Sequence, residues 1–280
     1  MRDDFAAFIL THGRPEKIIT YKTLRASGYT GKIYYLIDDE DSKQDEYKKM
    51  YGDDVIVFDK KAIGETFDPY DNFGKRNSIT WARNASFKVA KELGLRFFWQ
   101  LDDDYTSWQW RFNHRLESGY CGQIKSMDDV LEACISFLES IPAASIAFSQ
   151  GGDHIGCKAW DHRGPFMKRK AMNSFICDTQ NPFQFEGYMN EDVNTYASRR
   201  CNLFFTVMQL MLCQLATQSN TGGITEAYKS AGTYVKSFYT IMTNPAAVKI
   251  SAMGSHHYRI HHNVIAENCY PKILREEHKR

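Results

Sequence analysis

At 280 residues the chain exceeds the usual single-domain length, yet an α/β chain of this size can form one unit around one sheet, so a single domain over 1–280 is expected. Apolar residues at 43% and charged residues at 25% are ordinary globular proportions and exclude disorder as the default. A formal net charge of +1 removes the simple electrostatic case for a nucleic-acid binder, although a local basic face can coexist with an acidic site.

The first fifteen residues carry Asp3, Asp4, His12 and Arg14 around one short apolar run. They lack the basic start and the cleavage signature of a signal peptide, so a cytoplasmic location is expected. Phe5 to Leu10 predicts a first strand, stopped by the turn chemistry of Thr11-His12-Gly13-Arg14-Pro15. Glu16 to Ser27 places Ile18, Ile19, Tyr21 and Leu24 on one helical face, with Gly28 as the stop.

Lys32 to Ile37 predicts a second strand that runs into Asp38-Asp39-Glu40-Asp41, and a polar helical stretch then leads to a third strand at Val55 to Phe58. Asn77 to Leu93 predicts a helix, followed by Gly94 and a fourth strand from Arg96 to Leu101. Strands alternating with helices at these spacings imply a mainly parallel sheet, whose ligands bind beyond the carboxyl ends of the strands.

Further along, Leu203 to Leu215 is too short for the roughly 18 residues a membrane span needs and is broken by Thr206, Gln209 and Gln214, so a buried helix is expected. The seven cysteines are scattered and never form C-x-x-C, which indicates reduced thiols rather than a disulfide framework or a zinc knuckle. No repeat or linker divides the chain.

Three predicted strand ends carry polar clusters: Thr11 to Arg14, Asp38-Asp39, and Asp102-Asp103-Asp104. Each alone reads equally well as a helix cap or turn, but a parallel sheet aims all three at one crevice. The segment from Phe97 to Asp104 is the sharpest signal: an apolar strand delivers three carboxylates whose repulsion demands a cation. Oxygen ligands suit Mg2+ or Mn2+, which also bind phosphate oxygens and neutralise a departing diphosphate.

A strand ending in Asp-x-Asp, with earlier strands ending in a Gly-Arg-Pro turn and an acidic pair, resembles the GT-A glycosyltransferases. That resemblance implies a GT-A-like α/β fold, a mixed, mainly parallel sheet flanked by helices. Residues 1–105 would then form the nucleotide-sugar half and 106–280 the acceptor half. It implies ribose and metal contacts for Asp102 and Asp104, with Asp103 sharing or orienting them. It also places Thr11, His12, Gly13 and Arg14 near the nucleotide, Asp38 or Asp39 near a uracil edge, and Arg83 near phosphate or base. The residue types match, since a carboxylate accepts the uracil N–H and a guanidinium forks onto diphosphate oxygens. Arg83 by itself also reads as an ion-pair partner.

His12-Gly13-Arg14-Pro15, Trp99-Gln100-Leu101-Asp102-Asp103-Asp104-Tyr105 and Gly187-Tyr188-Met189-Asn190-Glu191-Asp192-Val193-Asn194 together resemble the TET-associated glycosyltransferases of phages. That family implies a UDP-sugar donor and an acceptor of hydroxymethylated pyrimidine in DNA, especially 5-hydroxymethylcytosine. It also implies a host-cytoplasmic setting, with neither a membrane nor an obligate protein partner required. The resemblance makes Asp192 the candidate base for the attacking hydroxyl, with Glu191 second, and an in-line displacement with inversion follows if Asp192 acts so. The alternative is an acidic first turn of a helix.

In some GT-A enzymes a late histidine completes the metal shell, which makes His256 and His257 candidates beside the His261-His262 pair, with a surface doublet as the alternative reading. A DNA acceptor needs cations near the sugar site, and Arg163, Lys168, Arg169, Lys170, Arg199 and Arg200 form a basic middle segment that is equally readable as a solvated face. Trp108 and Trp110 are candidate stacking platforms for a sugar or an extruded base, with core packing as the alternative. The rival functions are transfer to a saccharide or protein, a metal-dependent nucleotidyltransferase, and a non-catalytic binding module.

Overall fold

The computed structural model describes residues 1–70, 74–115, 117–154, 170–198, 203–215, 235–253 and 259–265. The first half alternates strand and helix as expected: β1 (Phe5–Leu10), α1 (Thr20–Ala26), β2 (Lys32–Asp38), α2 (Gln44–Tyr51), β3 (Val55–Phe58), α3 (Lys60–Gly64), α4 (Thr80–Glu92) and β4 (Phe97–Asp102). It continues through β5 (Tyr105–Trp110), α5 (Met127–Ser140), β6 (Ala143–Gln150), β7 (Phe175–Asp178), α6 (Glu191–Ala197), β8 (Leu203–Gln214), α7 (Val235–Thr243), β9 (Val248–Met253) and β10 (Arg259–Val264).

Eight strands form one sheet in the order β3-β2-β1-β4-β7-β6-β8-β5, while β9 and β10 pair as a separate antiparallel hairpin. From β3 to β4 all neighbours are parallel; β7 runs against both β4 and β6, β8 is parallel to β6, and β5 is antiparallel to β8. The mixed, mainly parallel sheet flanked by helices is thus as expected.

Both faces of the sheet are covered, which is why its strands read as near-continuous apolar runs. Successive residues of β1 point to opposite faces. Phe5, Ala7 and Ile9 join Trp99, Leu101 and the α5 residues Leu131 and Ile135 on one side. Ala6, Phe8 and Leu10 join Phe98, Phe87 and Ala90 of α4, and Phe175 on the other.

Two expectations are corrected. The expected helix from Glu16 to Ser27 begins only at Thr20, after a short 3-10 turn over Pro15–Lys17. Leu203 to Gln214 is a strand, not a buried helix. A largely apolar run of this length, interrupted only by Thr206, Gln209 and Gln214, carries no decisive period, and pairing with β6 and β5 settles it; Met208, Leu210 and Leu212 are buried at the alternation of a strand.

Trp108 is likewise a core residue rather than an acceptor platform. It is 0% exposed and packs against Trp99 and Tyr105, with ring centroids 5.7 and 6.0 Å away. Truncation there leaves a large void, so Trp108→Ala is expected to cost about 3–5 kcal/mol of stability, read by urea denaturation. A loss below about 1 kcal/mol would return Trp108 to the surface role.

Candidate active site

β1 and β4 run side by side with Leu10 opposite Asp102, so the turn after β1 meets the acidic triplet after β4. The triplet's backbone is pinned by the start of α1. The Asp103 carbonyl accepts from the N–H groups of Ile19 and Thr20, the Thr20 hydroxyl donates to the Asp102 carbonyl at 2.7 Å, and the Tyr105 N–H donates to that hydroxyl at 2.9 Å.

The three carboxylates then part company. Asp103 turns inward, where Arg14 forks onto it with Nε at 2.8 Å and Nη2 at 2.6 Å. Thr11 donates to the same carboxylate at 2.7 Å and shares a 2.9 Å hydrogen bond with the Tyr47 hydroxyl, which in turn accepts from the Arg14 N–H. Asp103 is fully buried, so the expected nucleotide contact at Asp103 is corrected to an anchoring one. Arg14, expected near the nucleotide, has its guanidinium fork on Asp103.

Asp102 and Asp104 converge on one amide: Gln214 Nε2 donates to Asp102 Oδ2 at 3.1 Å and to Asp104 Oδ1 at 3.2 Å. Asn173 donates to Gln214 Oε1 at 3.1 Å, which fixes the amide's orientation. Gln214 arrives because β5 leaves directly from Asp104 and pairs with the end of β8, Tyr105 opposite Gln214. Burial pushes Asp102 up to about 7, with Asp104, Asp103 and Glu191 adding to the rise against the opposing pull of Arg83; burial and Asp103 raise Asp104 also.

Arg83 does not reach the crevice as expected. It is 1% exposed, with its guanidinium 4.9 Å from the Phe175 ring and 5.4 Å from the Phe185 ring. It lies between two acids, Nη2 at 3.6 Å from Asp102 Oδ1 and Nε at 3.2 Å from Glu191 Oε1. Burial works against its charge, but Glu191, Asp102 and Asp192 outweigh it and hold the guanidinium above its ordinary value. Burial likewise pushes the Glu191 carboxyl up, opposed by Arg83 and reinforced by Asp192.

Glu191 and Asp192 open α6 as the acidic first turn that was the alternative reading. The loop before them is shaped by Gly187, at φ +87°, where a Cβ would fall 2.4 Å from Asn194 Nδ2. That amide donates to the carbonyls of Glu186 and Met189. Asn190, in the left-handed region at φ 53°, donates to the Lys236 carbonyl of α7 at 2.8 Å. Asp192 is buried, and its Oδ1 accepts from the Val193 N–H at 2.8 Å.

At the end of β2, Asp38 Oδ2 holds His12 Nδ1 at 2.7 Å and Asp38 Oδ1 holds Lys60 Nζ at 3.1 Å. The Asp38 hydrogen bond is the largest influence on His12 and, with the charges of Asp38 and Asp41, raises the imidazole above its ordinary value. Burial would raise Asp38, but His12 and Lys60 together hold it below the usual carboxylate range. The His12 side chain stays 53% exposed. Gly13, at φ +71°, donates its N–H to Asp41 at 2.7 Å, and the exposed Asp39 accepts from the Lys60 N–H at 2.9 Å.

Among the expected acceptor residues, Trp110 is half-buried against the core and Lys170 is half-buried beside His261 and His262. Lys168, Arg169, His256 and His257 lie outside the described residues, as do Arg163, Arg199 and Arg200. Sequence reading missed Gln214, Tyr47, Asp41 and Lys60; the acidic run and the Gln that ends an apolar segment were the available signals.

Among the described residues, no group of three or more His, Cys, Asp or Glu side chains is placed to hold a metal ion. Asp102 and Asp104 nonetheless fit a hard divalent cation. They are two crowded carboxylates sharing one donor, and Asp102 Oδ1 is buried without a hydrogen-bond partner among the described residues. Mg2+ is commonly held by one or two carboxylates with substrate phosphates completing the shell. Among the described residues, no helix is long and apolar enough to cross a membrane.

The TET-Associated Glycosyltransferase family model matches residues 5–223. No curated protein matches the chain. Similar solved structures include glucosyl-3-phosphoglycerate synthase from Mycobacterium tuberculosis in complex with Mg2+ and uridine diphosphate, at 8% identity and a TM-score of 0.44 over 93% of this chain and 87% of that one. A mannosyltransferase from Pyrobaculum calidifontis in complex with GDP-Man and Mn2+ is 9% identical, with a TM-score of 0.47 over 79% of this chain and 59% of that one.

Two measurements separate the roles within the triplet. Asp103→Asn strips Arg14 of its buried carboxylate and is expected to cost about 3 kcal/mol in denaturant unfolding, whereas Asp104→Asn relieves repulsion and leaves stability unchanged or raised. The second is linkage. A raised carboxyl binds a proton in the folded state that the unfolded chain has released, so without a cation Asp102 contributes most below its unfolded value of 3.8 and loses that contribution as pH rises through about 7. Protons and Mn2+ compete for the same oxygens, so the rise in Tm on adding Mn2+ should grow from about pH 6 to about pH 8 and vanish in Asp104→Asn. A pH-independent rise would remove these carboxylates from the cation site.

Proposed function

The chain belongs to the TET-associated glycosyltransferase family, and on that premise we propose that it moves a sugar from a UDP-sugar to the hydroxymethyl group of 5-hydroxymethylcytosine in phage DNA. The observation that carries this reading is the pair Asp102 and Asp104, with buried Arg83 between Asp102 and Glu191 and Asp192 acting on the same guanidinium through space, so that a cation site and an acidic acceptor site share one charge network. Residues 1–105 supply the donor side and 106–280 most of the acceptor side.

Asp102 and Asp104 would hold Mn2+ or Mg2+, which when bound would neutralise the departing diphosphate. Thr11 and Arg14 fix Asp103 and through it the turn that presents the other two carboxylates. His12, oriented by Asp38, offers its exposed edge to the donor, and the exposed Asp39 accepts from the uracil N–H. Asp192 takes the proton from the attacking hydroxyl as that oxygen bonds to the anomeric carbon and the bond to the diphosphate breaks, which gives inversion. Glu191, engaged by Arg83, holds the neighbouring charge.

Incubation with several UDP-sugars, Mn2+ and duplex DNA containing 5-hydroxymethylcytosine, followed by mass spectrometry of the nucleosides, tests the proposal. A hexose-sized gain is expected, abolished in Asp104→Ala and slowed roughly 10²–10⁴-fold in Asp192→Asn. Release of pyrophosphate would indicate nucleotidyl transfer. Slow UDP-sugar hydrolysis without a DNA adduct would move the acceptor to a saccharide or protein, and a retained anomeric configuration would sink the role given to Asp192.

A further inference from the structure

A second polar cluster forms where Lys170, just ahead of β7, meets β10. Its ammonium lies 2.8 Å from His262 Nε2 and 3.2 Å from His261 Nε2, and the two imidazoles stack with centroids 4.5 Å apart. An ammonium only donates, so each Nε2 accepts and each ring is neutral with its proton on Nδ1. Burial, followed by the neighbouring Lys170, His261 and Lys236, pushes His262 down to about 3. The lysine is also tethered through its backbone, whose carbonyl accepts from the Thr206 hydroxyl at 3.0 Å.

The partners are unusual for a half-buried cation. A carboxylate would fix the ammonium and cancel its charge, whereas imidazole acceptors fix it without supplying an opposite charge; burial lowers the lysine below its ordinary value, opposed by Asp192 and Asp153. Among the described residues two of its three N–H groups are occupied, which leaves one to donate. Among the described residues no carboxylate lies within ion-pair distance of Lys170; Asp192 and Asp153 act on it only through space, with Lys236 as the neighbouring cation. His262, itself buried, has an Nδ1 with no hydrogen-bond partner among the described residues. An ammonium fixed by imidazole acceptors, with no carboxylate at ion-pair distance among the described residues and within the electrostatic reach of the proposed base, suits an anion.

We propose that Lys170, clasped by His261 and His262, docks one backbone phosphate of the DNA acceptor strand beside Asp192. The inference rests on the DNA-acceptor reading given above. Phosphate oxygens are also supplied by the donor diphosphate, but that group belongs with Asp102 and Asp104, whereas the charges that act on Lys170 are those of α6, α7 and residue 153. A lysine contributes such a contact as a point charge, which positions the strand without reading its sequence.

The test is fluorescence anisotropy of a labelled duplex carrying 5-hydroxymethylcytosine, titrated at several KCl concentrations, beside calorimetric binding of UDP with Mn2+. In Lys170→Met the slope of log K against log salt should shrink by about 0.9, one phosphate contact, with equal weakening for modified and unmodified duplex. Lys170→Arg should keep the slope, and His262→Gln should keep it while weakening binding, because the charge survives and the clasp does not. UDP affinity should be unchanged in all three. An unaltered slope in Lys170→Met, with wild-type binding intact, overturns the phosphate assignment alone. A fall in UDP affinity with the DNA slope preserved transfers the cation to the donor and overturns it too. A wild-type chain that binds no DNA overturns the acceptor reading and this assignment together.

Discussion

Three consecutive carboxylates at the end of a buried strand repel one another, and much of the surrounding chain is arranged to divide that charge. Asp103 is taken by the Arg14 fork and the Thr11 hydroxyl. Asp102 lies beside the Arg83 guanidinium, and Gln214 spans the oxygens that Asp102 and Asp104 turn toward each other. The division is unequal: one carboxylate is neutralised by a nearby cation and locked, while the other two keep raised proton affinities that a divalent ion would reverse.

Arg83 extends that arrangement across the sheet. Its aliphatic and planar surfaces are housed by Phe175 of β7 and Phe185, and its ends address Asp102 of β4 and Glu191 of α6. A buried guanidinium is tolerated only where acids compensate its lost hydration. Discharging Asp102 by metal, or moving Glu191, therefore changes the surroundings of the other acid through a residue that contacts neither crevice nor solvent. The acids at the end of β4 and at the start of α6 are linked in this fold by one side chain on α4.

The first half of the fold was legible because its strands and helices are separated by Gly and Pro and because alternation of strand and helix dictates parallel neighbours. The convergence of Thr11, His12, Asp38 and the triplet followed from that topology. What failed did so for physical reasons. The twelve-residue, largely apolar stretch from Leu203 carries no period that distinguishes a buried strand from a buried helix, so the arrival of Gln214 beside Asp104 was invisible. Arg83 reads as a phosphate ligand by residue type, and only its helix face, turned onto Phe175, shows otherwise. Trp108 sits next to the acidic turn in sequence, but packing against Trp99 and Tyr105 places it in the core.

The same reasoning separates the two acids of α6. Both are buried in its first turn, where the helix N-terminus favours negative charge, so proximity alone does not choose a base between them. Their partners differ. Glu191 faces a permanent cation at 3.2 Å, which lowers the basicity of a carboxylate that burial raises, and giving it a proton would leave Arg83 less compensated in a space closed by aromatic rings. Asp192 is held by a neutral N–H of its own helix and has no ion pair among the described residues. In the proposed reaction a proton would therefore be accommodated at Asp192 with less cost to the network than at Glu191. On the same proposal Glu191 compensates Arg83 and holds it in place.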